Sequence, residues 1–381
     1  SLYTQRNLPQ KSLRWRKRKK MLRYFKNRFE DNLLLAWTYI IITIGILLLF
    51  STSKGVASKE GIFLKQILWV LGGTGLIYFI KNTDYKNSGK FAPLMYFSIL
   101  LFLIIVLFFG KGVGGASRWI KIGWFNFQPS EFAKLVVIIT LSAYLSEKDA
   151  RRFPVLLVSI IIVALPFLLV LQQPDLGTSL IFVIVFFAIL YQAGAKKSHL
   201  LFLVVVNIFL SPFFWFAMKQ YQKERILTFL NPMRDPLGKG YNLIQSIITI
   251  GSGGLFGKGY LKGTQTKLAF LPEYHTDFIF CVMAEEFGFI GVLVLLSLYY
   301  IFFKTIIDIT YSTHDRFGRL LGVGILAMFI SHVFVNIGMT MGLFPVVGIP
   351  LPFISYGGSS IIVSLMSVML LVNIQENSLM F

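Results

Sequence analysis

FLPEYHTDFIFCVMAEEFGFIGVLVLLSLYYIFF, residues 270–303, opens on polar and ionisable residues and closes on a charge-free apolar run. A bilayer core about 30 Å thick takes about 20 helical residues. The window 277–303 exceeds that length, so it reads as a membrane span whose outer end carries the polar cluster. The same window, moved outward in both directions, gives further spans at 33–51, 62–80, 92–109, 131–147, 154–171, 177–194, 199–218, 319–342 and 354–374. The expected fold class is all-α, a polytopic membrane protein with about ten transmembrane helices.

Composition supports this reading. Of 381 residues, 55% are hydrophobic, 14% are charged and 38 are Phe. A soluble domain of this length has no means of hiding so much apolar surface. The single cysteine, Cys281, excludes an intramolecular disulfide and a cysteine-based zinc site. The four histidines at 199, 275, 314 and 332 lack metal-ligand spacing.

The formal net charge is +20, and eight basic residues crowd into residues 1–20. That stretch lacks the long apolar run of a secretory signal. It reads equally as a native basic arm against anionic lipid or as a segment foreign to the natural chain. Residues 1–32 together form a basic cytoplasmic arm, and 33–375 form the transmembrane domain.

With the N-terminus inside, inner segments hold 22 Lys and Arg and outer segments 13. Eight of the outer ones lie in one long loop, 219–275, between spans seven and eight. The expectation is therefore N-in and C-in, with this large loop extracytoplasmic. Apolar stretches such as LIQSIITI (243–250) mark the loop as ordered rather than a linker. Its glycines at 251, 253, 254, 257, 259 and 263 form no phosphate-binding fingerprint.

Ionisable residues in or beside spans face protein or water, because hydrocarbon does not solvate them. Glu131 and Lys134 follow Gln128-Pro129-Ser130, with Ser130 placed to cap the helix. Their spacing of three puts them on one face, as a structural ion pair or a binding pair. Asp175, in QQPDLGTS, reads as a turn or cap residue. Asp277 reads either as a cap that the helix dipole keeps ionised or as a general base. Glu273 and His275 flank it. Glu285 and Glu286 point to different faces, so at least one enters the protein interior. His332, within the ninth span, reads as hydrogen-bonded filler. Outside lie Arg118, Lys121, Arg225, Arg234, Lys239, Lys258, Lys262 and Lys267. Arginine grips phosphate oxygens through two donors. This pattern fits a phosphorylated amphiphile as ligand and equally ordinary contact with lipid headgroups. Nucleic acid is excluded as a partner, since nothing basic forms a soluble domain.

FLPEYHTDFIFCVMAEEFGFIG (270–291), ASRWIKIGWFNFQPSEFAKL (116–135), QQPDLGTS (172–179), FLNPMRDPLGKGYNLIQS (229–246) and GIPLPFISYGGSS (348–360) together resemble the SEDS family (shape, elongation, division and sporulation). GTQTKLAFLPE (263–273) and LFPVVGIPLPF (343–353) look more like its rod-shape branch, RodA, than its division branch, FtsW. The resemblance implies a peptidoglycan glycosyltransferase polymerising lipid II at the outer face of the bacterial cytoplasmic membrane. It places the essential aspartate at Asp277. It implies substrate-binding roles for Arg118, Glu131, Lys134, Asp175 and Arg225, and His275, which flanks Asp277, is a further substrate-binding candidate. It implies a class B penicillin-binding protein and other elongation-complex membrane proteins as partners. Charge on the leaving pyrophosphate would be met by Arg, Lys or a divalent cation, Mg²⁺ or Mn²⁺; no organic cofactor is expected. The alternative is a lipid-linked oligosaccharide flippase or transporter, which would need a continuous polar path.

Overall fold

The computed structural model describes residues 33–54, 61–81, 83–110, 118–123, 125–268 and 270–378. The basic arm 1–32 lies outside the described residues. The helices are α1 (Leu33–Ser53), α2 (Ile62–Lys81), α3 (Tyr85–Lys90), α4 (Ala92–Phe109), α5 (Pro129–Glu147), α6 (Phe153–Gln172) and α7 (Leu176–Gln192). They continue with α8 (Lys197–Ala217), α9 (Gln220–Leu230), α10 (Tyr241–Ser252), α11 (Thr264–Lys267), α12 (Ile279–Ser312), α13 (Arg316–Thr340) and α14 (Gly358–Ser378).

Among the described residues, seven helices are long and apolar enough to cross a membrane: α1, α4, α5, α6, α12, α13 and α14. Shorter apolar helices lie at Ile62–Leu76, Leu176–Gln192 and Lys197–Phe213, where the remaining three spans are expected. Hydropathy and burial run in opposite directions along this set. In α4 the most apolar window has mean hydropathy 2.7 and only 28% of it is buried in protein; in α5 the values are 1.2 and 78%. The first pattern suits a helix bathed in lipid. The second suits a helix whose polar side chains need protein partners. α5, α7, α12, α13 and α14 thus form the interior, with α13 packed on both α5 and α7.

Local sequence explains several boundaries. Pro129 occupies the first turn of α5, where its missing N–H is no loss. Asp175 caps α7 by accepting from Thr178 N, and Asp315 caps α13 by accepting from Gly318 N. Ser130 is not the cap of α5 that the sequence suggests: Gln128 holds that position, without a side-chain bond. The all-α expectation also misses a short hairpin, β1 (Ile120–Ile122) and β2 (Phe125–Phe127), turning at Gly123.

The long outer segment is ordered as α9, a 3₁₀ turn at Pro232–Arg234, α10 and α11. It reaches into α12. That helix breaks at Gly288, whose φ of 63° and ψ of −163° are non-helical. The freed groups find partners in the loop: Lys258 N and Gly259 N donate to Glu285 O and Glu286 O, at 2.9 and 3.0 Å. Phe289 N and Ile290 N donate in return to Gly254 O and Leu255 O, at 2.9 and 3.1 Å. A Cβ on Gly288 would sit 2.3 Å from Gly257 N, so glycine is required at this crossing.

Candidate functional site

Asp277 stands two residues ahead of α12. Phe278 holds the cap position without a side-chain bond, so Asp277 is not a helix cap. Its strand of chain lies instead on the loop between α13 and α14. Tyr356 N donates to His275 O at 2.9 Å, Ser355 Oγ to Thr276 O at 2.6 Å, and Asn336 Nδ2 to Asp277 O at 2.9 Å. A Cβ on Gly348, whose φ is +72°, would lie 3.3 Å from Asp277 Oδ2. The backbone of this loop therefore forms one wall beside the carboxylate.

That loop is itself held from several sides. Its carbonyls at Val346, Ile349, Pro350 and Pro352 accept from Arg225, Asn336, His332 and Tyr299. Gln66 of α2 bonds both Ser355 O and Gly357 N, each at 3.3 Å. Phe353, at φ +67°, is a left-handed non-glycine residue fixed within it.

The environment of Asp277 raises its pKa to about 6. Desolvation is the chief cause, and the negative charge of Glu273 comes next. Arg118 and Arg225 oppose the shift, and Asp175 adds slightly to it. The expected dipole stabilisation is outweighed by burial. A carboxyl poised near neutrality is suited to accepting a proton from an alcohol.

The structure brings Arg118, Asp175, Arg225 and His275 to this region. Arg118 donates Nε to Gln173 O at 3.2 Å and also bonds Pro174 O. Those contacts set it at the mouth of α7. Arg225 extends from α9 to Val346 O at 3.1 Å. Asp175 keeps its bland role as a cap, also accepting from Thr178 Oγ1 at 2.9 Å and Ser130 Oγ at 3.4 Å. Its charge nonetheless acts on both Asp277 and Arg225. His275 lies 3.8 Å from Glu273 Oε2, between the rings of Tyr274 and Tyr356.

The other candidates are placed elsewhere. Glu131 and Lys134 pair at 2.7 Å, both buried, and Lys134 Nζ lies 2.9 Å from His332 Nε2. Glu285 and Glu286 are both interior, with the outer segment bonded to their backbone at Lys258 and Gly259. Glu285 accepts from Lys258 Nζ at 2.7 Å and from Thr264 N and Gln265 N at 2.8 and 2.9 Å; Glu286 accepts from Ser51. Lys239 pairs with Glu224 at 2.6 Å. Lys258 and Lys239 thus answer acids, and Arg118 and Arg225 are the cations that act on Asp277. Sequence reasoning missed Asn336 and Tyr221. The hydroxyl of Tyr221 lies in the field of Arg118, Arg225 and Asp175. An amide inside the ninth span was the available signal for the first.

Comparison with known proteins gives the chain its relatives. The E. coli (strain K12) protein named peptidoglycan glycosyltransferase MrdB is 38% identical over 344 residues, 89% of this chain and 92% of its own length. The Treponema pallidum protein named peptidoglycan glycosyltransferase RodA is 34% identical, covering 92% of this chain and 98% of its own. A chain from a solved peptidoglycan synthase complex, described as coordinating polymerization and crosslinking, superposes with TM-score 0.79 at 31% identity. It covers 91% of this chain and 97% of its own. Residues 31–379 match the family described as cell cycle protein FtsW/RodA/SpoVE, and the chain belongs to that family.

Proposed function

We propose that the chain is a peptidoglycan glycosyltransferase that polymerises lipid II into β-1,4 glycan strands, for cell elongation and shape, at the outer face of the cytoplasmic membrane. The observation that carries this reading is one carboxylate, Asp277, tied through Asn336 to the same loop that Arg225 binds at Val346. Asp277 takes the proton from the 4-hydroxyl of the acceptor GlcNAc. The oxygen attacks C1 of the donor MurNAc, and undecaprenyl pyrophosphate leaves. An α-linked donor and β-linked product require one displacement with inversion. One base and one stabilised leaving group suffice, without a glycosidase-like second carboxylate. Arg118 and Arg225 are the donors placed to receive the pyrophosphate charge.

The expected Mg²⁺ or Mn²⁺ has no protein-built cage: among the described residues no three His, Cys, Asp or Glu side chains converge. No step is therefore routed through a metal. A transpeptidase of the class B penicillin-binding type is the proposed partner, since the solved complex that contains a chain similar to this one coordinates polymerization and crosslinking. Orientation with both termini cytoplasmic follows from the chemistry, which needs Asp277 and the 219–275 segment outside. The flippase alternative requires a polar path through the bundle. The cavity beside Glu131 and Lys134 measures only ≈ 10 Å³, which does not favour one.

The test is polymerisation of lipid II by purified protein in detergent. A positioned base contributes about 10²–10⁴-fold, so Asp277→Asn should lose at least about 100-fold. Glycan polymer formed by the variant at the undiminished rate would sink the assignment.

A further inference from the structure

The pair Glu131–Lys134 invites a substrate-binding role, but its surroundings argue for another. Lysine carries three donors and no acceptor. With Nζ 2.7 Å from Glu131 Oε1 and 2.9 Å from His332 Nε2, the imidazole Nε2 must accept. The ring is then neutral with its proton on Nδ1, which donates to Pro350 O at 3.2 Å. Lys134 thus fixes the tautomer of His332, and the tautomer fixes a loop carbonyl.

One turn along α13 stands Asn336, on the same face by the i, i+4 rule. Its Nδ2 donates to the preceding carbonyl, Ile349 O, at 2.7 Å, and to Asp277 O at 2.9 Å. Two side chains of one helix therefore clamp two consecutive carbonyls, and one of them holds the aspartate as well. The chain of contacts runs from Glu131 through Lys134 and His332 to Pro350, and from Ile349 through Asn336 to Asp277. Lys134, His332, Ile349 and Asn336 are each at most 5% exposed.

Space decides against direct contact with substrate. The cavity bounded by Glu131, Lys134, His332, Phe329 and Pro352 measures ≈ 10 Å³. That is about the volume one water requires, and far below a sugar ring or a diphosphate. An ion pair buried in a membrane protein is a poor source of stability by itself. Its value here is geometric.

We propose that Glu131, Lys134, His332 and Asn336 form one positioning network for Asp277, and that none of the four touches lipid II. This rests on the reading of Asp277 as the base.

The experiment uses the full chain with lipid II in detergent, and reads kcat and KM separately. His332→Leu breaks the relay. His332→Gln keeps one donor for Pro350 and one acceptor for Lys134. A misplacement of about 1 Å can cost about 100-fold, so His332→Leu should lower kcat at least about tenfold with KM within about twofold. His332→Gln should return to within about threefold of the wild-type rate. Made in the Asp277→Asn background, His332→Leu should change the residual rate less than about twofold, because it acts through a base already removed. Unchanged kcat, a loss confined to KM, or the same tenfold loss in the Asp277→Asn background would each overturn the network. Should His332→Leu not yield folded protein, Asn336→Ser cuts the bond to Asp277 O directly and is read by the same criteria. If wild-type protein makes no polymer, or Asp277→Asn keeps its rate, the reading of Asp277 fails instead.

Discussion

Replacing Asp277 with Asn should separate chemistry from stability, and pH should separate them further. The folded-state pKa of Asp277 is raised from 3.8 to about 6, mainly by burial. A raised carboxyl pKa means that the folded chain prefers the protonated form. The stability it contributes is complete below the unfolded value and is lost as pH rises through about 6. Each pKa unit corresponds to about 1.4 kcal/mol, so ionising Asp277 costs the fold at most about 3 kcal/mol. Partial access to solvent reduces that figure. The Asn variant is always neutral and escapes this cost. It should match the wild type in thermal stability below pH 4 and exceed it above pH 6, while its rate stays at least about 100-fold lower throughout. The assays are thermal unfolding in detergent across pH 4–8 and lipid II polymerisation at the same values. In the wild type, the rate should fall on the acid side with a midpoint near 6, leaving about a tenth of the base ionised at pH 5. An Asn variant no more stable than wild type at pH 7.5, or an acid limb centred near 4, would refute the account of Asp277 as a desolvated base.

Three further outcomes follow from named contacts. Glu273→Gln removes the second-largest influence raising the Asp277 pKa, so the acid limb should move to lower pH, measured by the rate profile. Gly288→Ala forces a Cβ against Gly257 N at 2.3 Å in a positive-φ residue; it should release the outer segment from α12, seen as faster proteolysis between residues 253 and 268. Lys258→Met takes a charged donor away from Glu285, which is fully buried. A loss of about 1–3 kcal/mol, read by thermal unfolding, is expected.

Much of this protein was legible along the chain, and the reason is the bilayer. Lipid forces long apolar helices, so span positions such as 92–109 and 154–171 fall within a residue or two of α4 and α6. Sequence likewise puts Asp277 among a few acids in or beside spans, and the family resemblance is what singles it out from them. Asp175 illustrates the opposite limit. Its sequence shows a cap, which it is, but not that Thr178, Ser130 and the field at Asp277 meet there.

Tertiary structure alone decided how Asp277 is held and how acidic it is. A helix-dipole argument uses neighbours in sequence and predicts a low pKa. Besides Glu273, the true neighbours come from residues 118, 175, 225 and 336 and from the 341–357 loop, which no periodicity connects to residue 277. That loop also delays α14 to Gly358, where hydropathy alone starts the span at 354. The break in α12 was equally hidden, since Gly288 within an apolar run looks like an ordinary small residue. Its cause is the carbonyls of Glu285 and Glu286 bonding Lys258 and Gly259, a long-range pairing that local sequence does not encode. The sequence by itself determined where apolar runs long enough for spans lie and that Asp277 is one of a few acids in or beside them, because solvent transfer acts on each residue separately. Only the folded chain decided what that acid can do, because desolvation and charge depend on distances between residues far apart in sequence.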